Sequence, residues 1–160
     1  MHKKLGIILL MSILLIGCNH LTIGEQYRNL QYSDSMEGLY AQIINSKTKK
    51  INQIYKLQKI KNKWTISRIK NKKFIPIVSH NLNDNVHEYN KTQISSIFNK
   101  NISVNNSRCI GHSRYVICKY FNVIDKQYHT SVLALNKEGK PLIGLKLYKK
   151  SFNELKSLGF

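Results

Sequence analysis

Apolar residues along this chain fall into three patterns, and each predicts a different element. The first is an unbroken run from Leu5 to Gly17, thirteen apolar or small residues behind Lys3 and Lys4. A helix crossing a bilayer core needs about 20 such residues, whereas a run of about 10–14 behind positive charge has the proportions of a signal peptide. The second pattern has helical spacing. Met36, Leu39, Tyr40, Ile43 and Ile44 recur at intervals of three and four behind the N-cap residues Ser33, Asp34 and Ser35. This predicts a helix from Met36 to Asn45, although Gly38 lowers its propensity. A shorter helix over Thr92–Asn99 would bury Ile94, Ile97 and Phe98. Near the end, Ser151-Phe152-Asn153-Glu154 matches a capping box and predicts a last helix through Leu155 and Leu158.

The third pattern is short and β-prone. Ile51–Ile60, Trp64–Ile69 and Phe74–Val78 are predicted strands, divided by Lys61-Asn62-Lys63 and Lys70-Asn71-Lys72-Lys73. Pro76 cannot donate to a ladder, so the third of these belongs at an edge or a bulge. Residues 79–90 show no apolar period and read as a polar loop. Arg114–Val123, Gln127–Leu135 and Leu142–Tyr148 follow, joined by short turn-forming segments, and predict a β-meander. The expected fold is α+β: a largely antiparallel sheet of five or six strands with two or three short helices packed on one face. It occupies 35–160 as a single domain, with a signal peptide at 1–17 and a polar tether at 18–34.

The end of the first run is more specific. Leu15-Ile16-Gly17-Cys18 resembles the lipobox of bacterial lipoproteins: a branched apolar residue, a tolerant position, a small residue, then cysteine. The resemblance covers residues 1–18 only. It implies cleavage before Cys18 by the lipoprotein processing machinery and a diacylglyceryl group on the Cys18 sulfur. In many Gram-negative bacteria an acyl chain such as palmitate is added to the freed amine. Asn19, in place of the Asp that favours inner-membrane retention in that family, leans towards the outer membrane. Two or three chains, each contributing about 0.8 kcal/mol per buried CH₂, would hold the protein in the leaflet. With Cys18 assigned to lipid, Cys109 and Cys118 remain. An even remainder in an exported chain reads as one disulfide, and a zinc site would need further close ligands.

Charge changes the picture next. The chain carries 26 basic and 8 acidic residues, a net charge of +18. No acidic residue lies between Glu37 and Asp84. That window holds Lys47, Lys49, Lys50, Lys56, Lys59, Lys61, Lys63, Arg68, Lys70, Lys72 and Lys73, with Tyr55 and Trp64 among them. Several sit in turns, so the positive charge is expected to gather at one end of the hairpins. Codon bias towards Lys, Ile and Asn is one source of such a composition; a surface selected for an anionic envelope polymer or an acidic protein is another. Cations interleaved with aromatics also suit nucleic acid, which fits an exported protein less well.

Catalytic chemistry is thinly represented. His80, Asp84, His87 and Glu88 are the one tight cluster of acid–base or metal-ligating types, set among turn-forming asparagines. Gly111-His112-Ser113 lacks the G-x-S-x-G frame, and adjacency in sequence does not place a base on a nucleophile. Asp125, His129 and Ser131 share a hairpin, with His129 and Ser131 on one strand face. The remaining carboxylates are scattered, which disfavours a glycosidase pair. The sequence therefore points to a lipid-anchored, non-catalytic envelope protein without cofactor. Its basic residues Lys56, Lys59, Lys61, Lys63, Arg68, Lys70, Lys72 and Lys73 would dock an anionic or acidic partner, an immunity or inhibitor role being one form. The competing reading is a small envelope enzyme or metal-binding protein using His80, Asp84, His87 or His129.

Overall fold

The computed structural model describes residues 35–45, 47–78, 84–98 and 100–159, which lie in one compact unit, Ser33–Phe160. The signal peptide, Cys18 and the tether fall outside the described residues. Nine strands follow one another: β1 (Gly38–Asn45), β2 (Lys50–Ile60), β3 (Lys63–Lys70), β4 (Lys73–Pro76), β5 (His87–Glu88), β6 (Ile102–His112), β7 (Tyr115–Asn122), β8 (Gln127–Leu135) and β9 (Pro141–Lys150). Two short helices, α1 (Lys91–Ile97) and α2 (Phe152–Ser157), accompany them among the described residues. All strand pairs are antiparallel, in the spatial order β4-β3-β2-β1-β9-β8-β7-β6-β5. The first and last strands thus meet in the middle. From that seam one wing, β1–β4, meanders outward in one direction, and a second wing, β5–β9, in the other.

This corrects the α+β expectation: the chain is mostly β. The predicted helix over Met36–Asn45 is strand β1. Its apolar residues do recur at three and four, but Tyr40 and Ala41 are buried on opposite faces, between β2 on one side and β9 on the other. Strand neighbours here override helical spacing. Gly38 has φ +149°, outside the helical region, and a Cβ there would lie 2.9 Å from Lys149 Cε. The Ser35 hydroxyl expected to cap a helix instead accepts the Glu37 N–H in a local turn, 3.1 Å. Strand β5 lies within the segment expected as a polar loop, β6 adds a strand ahead of the expected meander, and five or six strands become nine.

Alternation along the strands builds three cores. Ile110, Ile117, Val132 and Leu147 of the second wing share one cluster with Tyr40, Tyr55, Leu57 and Ile66 of the first. Their neighbours in sequence point the other way. Cys109, Val116, Cys118 and Leu133 form an outer cluster closed by Ile94 and Ile97 of α1. Ala41 and Ile54 form another, closed by Leu155 of α2. Since strand side chains alternate between faces, the sheet folds over the shared core, and each helix covers a different outer face. Packing of β3 against β5 and β6 agrees. The helices are therefore not on one common face. Both begin with capping boxes, Asn90 with Gln93 and Ser151 with Glu154.

Tight turns set the registers. Lys61-Asn62 and Asn71-Lys72 have positive φ at both central residues, 47° and 62°, then 52° and 60°. That pair of conformations is the type I′ turn, whose twist suits an antiparallel hairpin. On the second wing Gly111 permits the close approach of β6 and β7, because a Cβ there would lie 2.2 Å from Tyr115 O. Two residues earlier Cys109 stands opposite Cys118 and forms a disulfide with it, clasping the β6–β7 hairpin. Pro76 ends β4, the outermost strand of its wing, so its missing donor interrupts no inner ladder.

Candidate functional site

Antiparallel geometry decides where the basic residues go. The β2–β3 turn lies at one end of the first wing, and the β1–β2 and β3–β4 turns at the other. Lys59, Lys61 and Lys63 therefore separate from Lys70, Lys72 and Lys73 by the length of β3. The charge is divided between two ends, which corrects the expectation that it gathers at one. Lys56 and Arg68 lie between them, on opposite faces by strand parity. Lys59 Nζ sits 5.6 Å from the centre of the Trp64 ring, and Lys56 Nζ 5.6 Å from that of Phe74. These contacts hold the stems against aromatic surface while most of the cations remain exposed to solvent.

The carboxylates are disposed quite differently. Glu37 accepts the Lys59 backbone N–H at 2.7 Å. Glu88 pairs with Arg108 at 2.9 Å across β5 and β6. Asp125 contacts His129 Nε2 at 2.6 Å. Glu154 accepts the Ser151 N–H at 2.7 Å and meets Lys150 Nζ at 3.1 Å. The Ser151 backbone donor, followed by the Lys150 and Ser151 side chains, brings its pKa down to about 2. Desolvation opposes the shift at Asp125, but hydrogen bonds from His129 and the Gln127 N–H leave its pKa below the ordinary value. Most carboxylates among the described residues are thus engaged within the chain. Positive charge outweighs negative along the first wing, where Glu37 and Asp84 are the nearby carboxylates, so an anion approaching it meets a mainly positive field.

Of the residues read as acid–base candidates, Asp84 and His87 lie near His112, while His129 belongs to another hairpin beside Asp125. Asp84 accepts the Ser113 N–H through both carboxylate oxygens, at 3.0 and 3.1 Å, and the Ser113 hydroxyl donates to it as well. It ties the segment before β5 to the β6–β7 turn. His87 stacks on Tyr89, with ring centres 5.0 Å apart. His80 lies outside the described residues. Among the described residues no group of three or more His, Cys, Asp or Glu is placed to hold a metal ion. Ser131 pairs with Tyr120 Oη at 3.2 Å while His129 pairs with Asp125, so the Asp125, His129 and Ser131 set forms no nucleophile–base relay.

His112 is the unusual titratable group. It is 3% exposed, and its Nδ1 lies 3.7 Å from Asp84 Oδ2, beyond hydrogen-bond distance. Nδ1 accepts the Arg114 N–H at 3.3 Å, which leaves the neutral ring's proton on Nε2, where no partner is found among the described residues. Burial pushes its pKa below the imidazole range; Asp84 opposes the shift and His87 adds to it. A lowered folded-state pKa means that the neutral ring supports the fold above the ordinary value, near 6.5, and that this support is lost as pH falls below it. Tyr115 beside it is raised above the phenol range by burial and by its hydrogen bond with Tyr55. Ser113 keeps Asp84 as its hydrogen-bond partner, and His112 Nε2 is the one buried side-chain polar atom without a partner among the described residues.

Sequence reasoning missed a cleft of about 450 Å³ where β3 and the end of β4 face the segment before β5. Trp64, Ile66, Ile77 and Val86 give it an apolar wall, with Lys63 and Asp84 at the lining. Its size is within the range of small-molecule pockets. No sequence signal announces it, because its walls come from segments that only the folded sheet brings together. The described residues include no helix long and apolar enough to cross a membrane. Comparisons with family models, with curated proteins and with solved structures find no match.

Proposed function

We propose that this chain is a lipid-anchored cell-envelope protein that works by binding, its cationic first wing docking an acidic or anionic partner. The observation that carries the reading is the asymmetry of charge: many exposed lysines on the first wing against few nearby carboxylates, Glu37 and Asp84 among them, which are themselves engaged in hydrogen bonds. Support for the anchor is the run Leu5–Gly17 behind Lys3 and Lys4, ending in Leu15-Ile16-Gly17-Cys18. Docking of an incoming toxin or lytic enzyme, an immunity role, is one form of this activity.

The experiment is affinity capture from envelopes with the anchored full chain. Lys59→Glu with Lys61→Glu and Lys70→Glu with Lys72→Glu are made separately and together. The fourfold variant is expected to lose the partner, and the two pairs report which end of the wing contributes more. Capture that survives all four reversals in physiological salt overturns the cationic reading. Cys18→Ala tests the anchor in parallel: lipid labelling should vanish and the protein should leave the membrane fraction.

A further inference from the structure

The seam where the two wings meet is only half closed. Strand β1 pairs with β9 from Leu39–Ala41 to Tyr148–Lys150, and no further pair is registered between them. Strand β8 pairs with β9 along nearly its whole length, from Leu147 down to Pro141. Residues 141–147 therefore have a strand on one side only, among the described residues. They form a third edge inside a sheet whose other edges are β4 and β5. This stretch is unusually apolar for an open edge. Leu142 is 66% exposed, Ile143 60% and Leu145 38%, and across the gap Ile44 of β1 is 56% exposed. Natural edges are kept short, bulged or charged; here Pro141 and Lys146 are the restraints, and four consecutive residues between them carry no charge.

We propose that this edge accepts an extended segment of an acidic partner, added as a strand alongside Leu142–Leu147. Strand direction brings the end of β1 and the start of β9 to the same end of the sheet. The mouth of the gap is therefore flanked by Lys47, Lys49 and Lys50 of one turn and Lys137 of the other, against the single carboxylate Glu138. Charge of this sign repels a second copy of the chain and favours a strand in which glutamate or aspartate alternates with apolar residues. Its backbone would take up the outward-facing ladder groups of β9. Its apolar side chains, on one face of the added strand, would cover Ile143 and Leu145, and its carboxylates, on the other face, would meet the lysines of the two turns. The inference rests on the acidic-partner reading above and names a surface that reading does not.

The test uses the full-length chain in detergent and a heptapeptide alternating valine and glutamate, followed by hydrogen–deuterium exchange and titration. Protection is expected at Leu142–Leu147. A peptide of equal charge with a central proline should bind about tenfold more weakly, as expected for a lost ladder bond. Leu142→Ser with Ile143→Ser, both exposed and so compatible with the fold, should weaken the alternating peptide by a similar factor. Equal binding of both peptides, with changes confined to 47–73, overturns the edge proposal and leaves the cationic wing standing. Protection of the same amides that rises with protein concentration, without peptide, overturns it in favour of self-association. Loss of peptide binding on reversal of Lys59, Lys61, Lys70 and Lys72, with β9 unprotected throughout, also counts against it.

Discussion

The two wings of the sheet share a core and differ in how they are held. The second wing is built around groups removed from water: a disulfide with both cysteines fully buried, α1 closing the outer face, and a carboxylate fastening the hairpin end. The first wing also has a helix, α2, over its outer face, but it has no disulfide and is held by pairing and by turns whose residues, lysine and asparagine, adopt backbone conformations that glycine adopts more easily. It exposes its cations and ends in β4, exposed along its whole length. A rigid half and a charged half are thus joined through Ile110, Ile117 and Val132 on one side and Tyr55, Leu57 and Ile66 on the other. The division places the disulfide-clasped hairpin in one wing and most of the exposed cations in the other.

Breaking the rigid half should have the largest effect. Replacing Cys109→Ala and Cys118→Ala together removes a loop constraint contributing about 2–3 kcal/mol. Denaturant midpoints should fall accordingly, and hydrogen exchange should rise first in β6 and β7. A loss of protection that begins in β2 and β3 would show the division to be misdrawn. A change of opposite sign is expected in the charged half. Lys72→Gly creates the Asn-Gly pair preferred by a type I′ turn and relieves a left-handed lysine, so stability should rise by about 1 kcal/mol. Unchanged or lower stability would mean that the Lys72 side chain contributes contacts outweighing its backbone cost.

The smallest effect is at the outer face of the first wing. Glu154 titrates near 2 in the fold, below its ordinary 4.5, because the Ser151 and Lys150 donors favour its charged form. Its support for α2 is therefore complete above about 4.5 and lost as pH falls towards 2. Exchange of the α2 amides should increase over that window in the native protein, and less so in Glu154→Gln, which keeps an acceptor but has no charge to lose. Identical acid profiles would remove the capping box as the source.

Much of the strand pattern is legible because lysine–asparagine turns punctuate it. Lys61-Asn62 and Asn71-Lys72 mark hairpins by composition, and the capping boxes at Asn90 and Ser151 follow from local donor–acceptor chemistry. What failed was decided at longer range. Strand β1 has helical spacing, but its neighbours β2 and β9 pair with it as a strand. Strand β6 begins in a stretch of asparagine and serine whose register shifts between Ser103 and Arg108, so no simple alternation reveals it. The contact between Asp84 and Ser113 spans 29 positions. It depends on the fold bringing the loop before β5 to the β6–β7 turn, which neither local sequence specifies. The basic residues were legible as a set, while their division between two ends required the strand directions.

The engagement of carboxylates has a consequence for how the protein would respond to its surroundings. At Asp125 desolvation is outweighed by hydrogen bonds, and at Glu154 the Ser151 and Lys150 donors act together, so both carboxylates stay charged to lower pH. His112, buried, is held neutral at neutral pH. The lysines of the first wing present a positive field to an ion that approaches it. Ionic strength is the variable that sets its reach, since the Debye length shrinks from about 30 Å at 0.01 M salt to about 8 Å at 0.15 M. Dilution and divalent ions would tune what such a surface gathers.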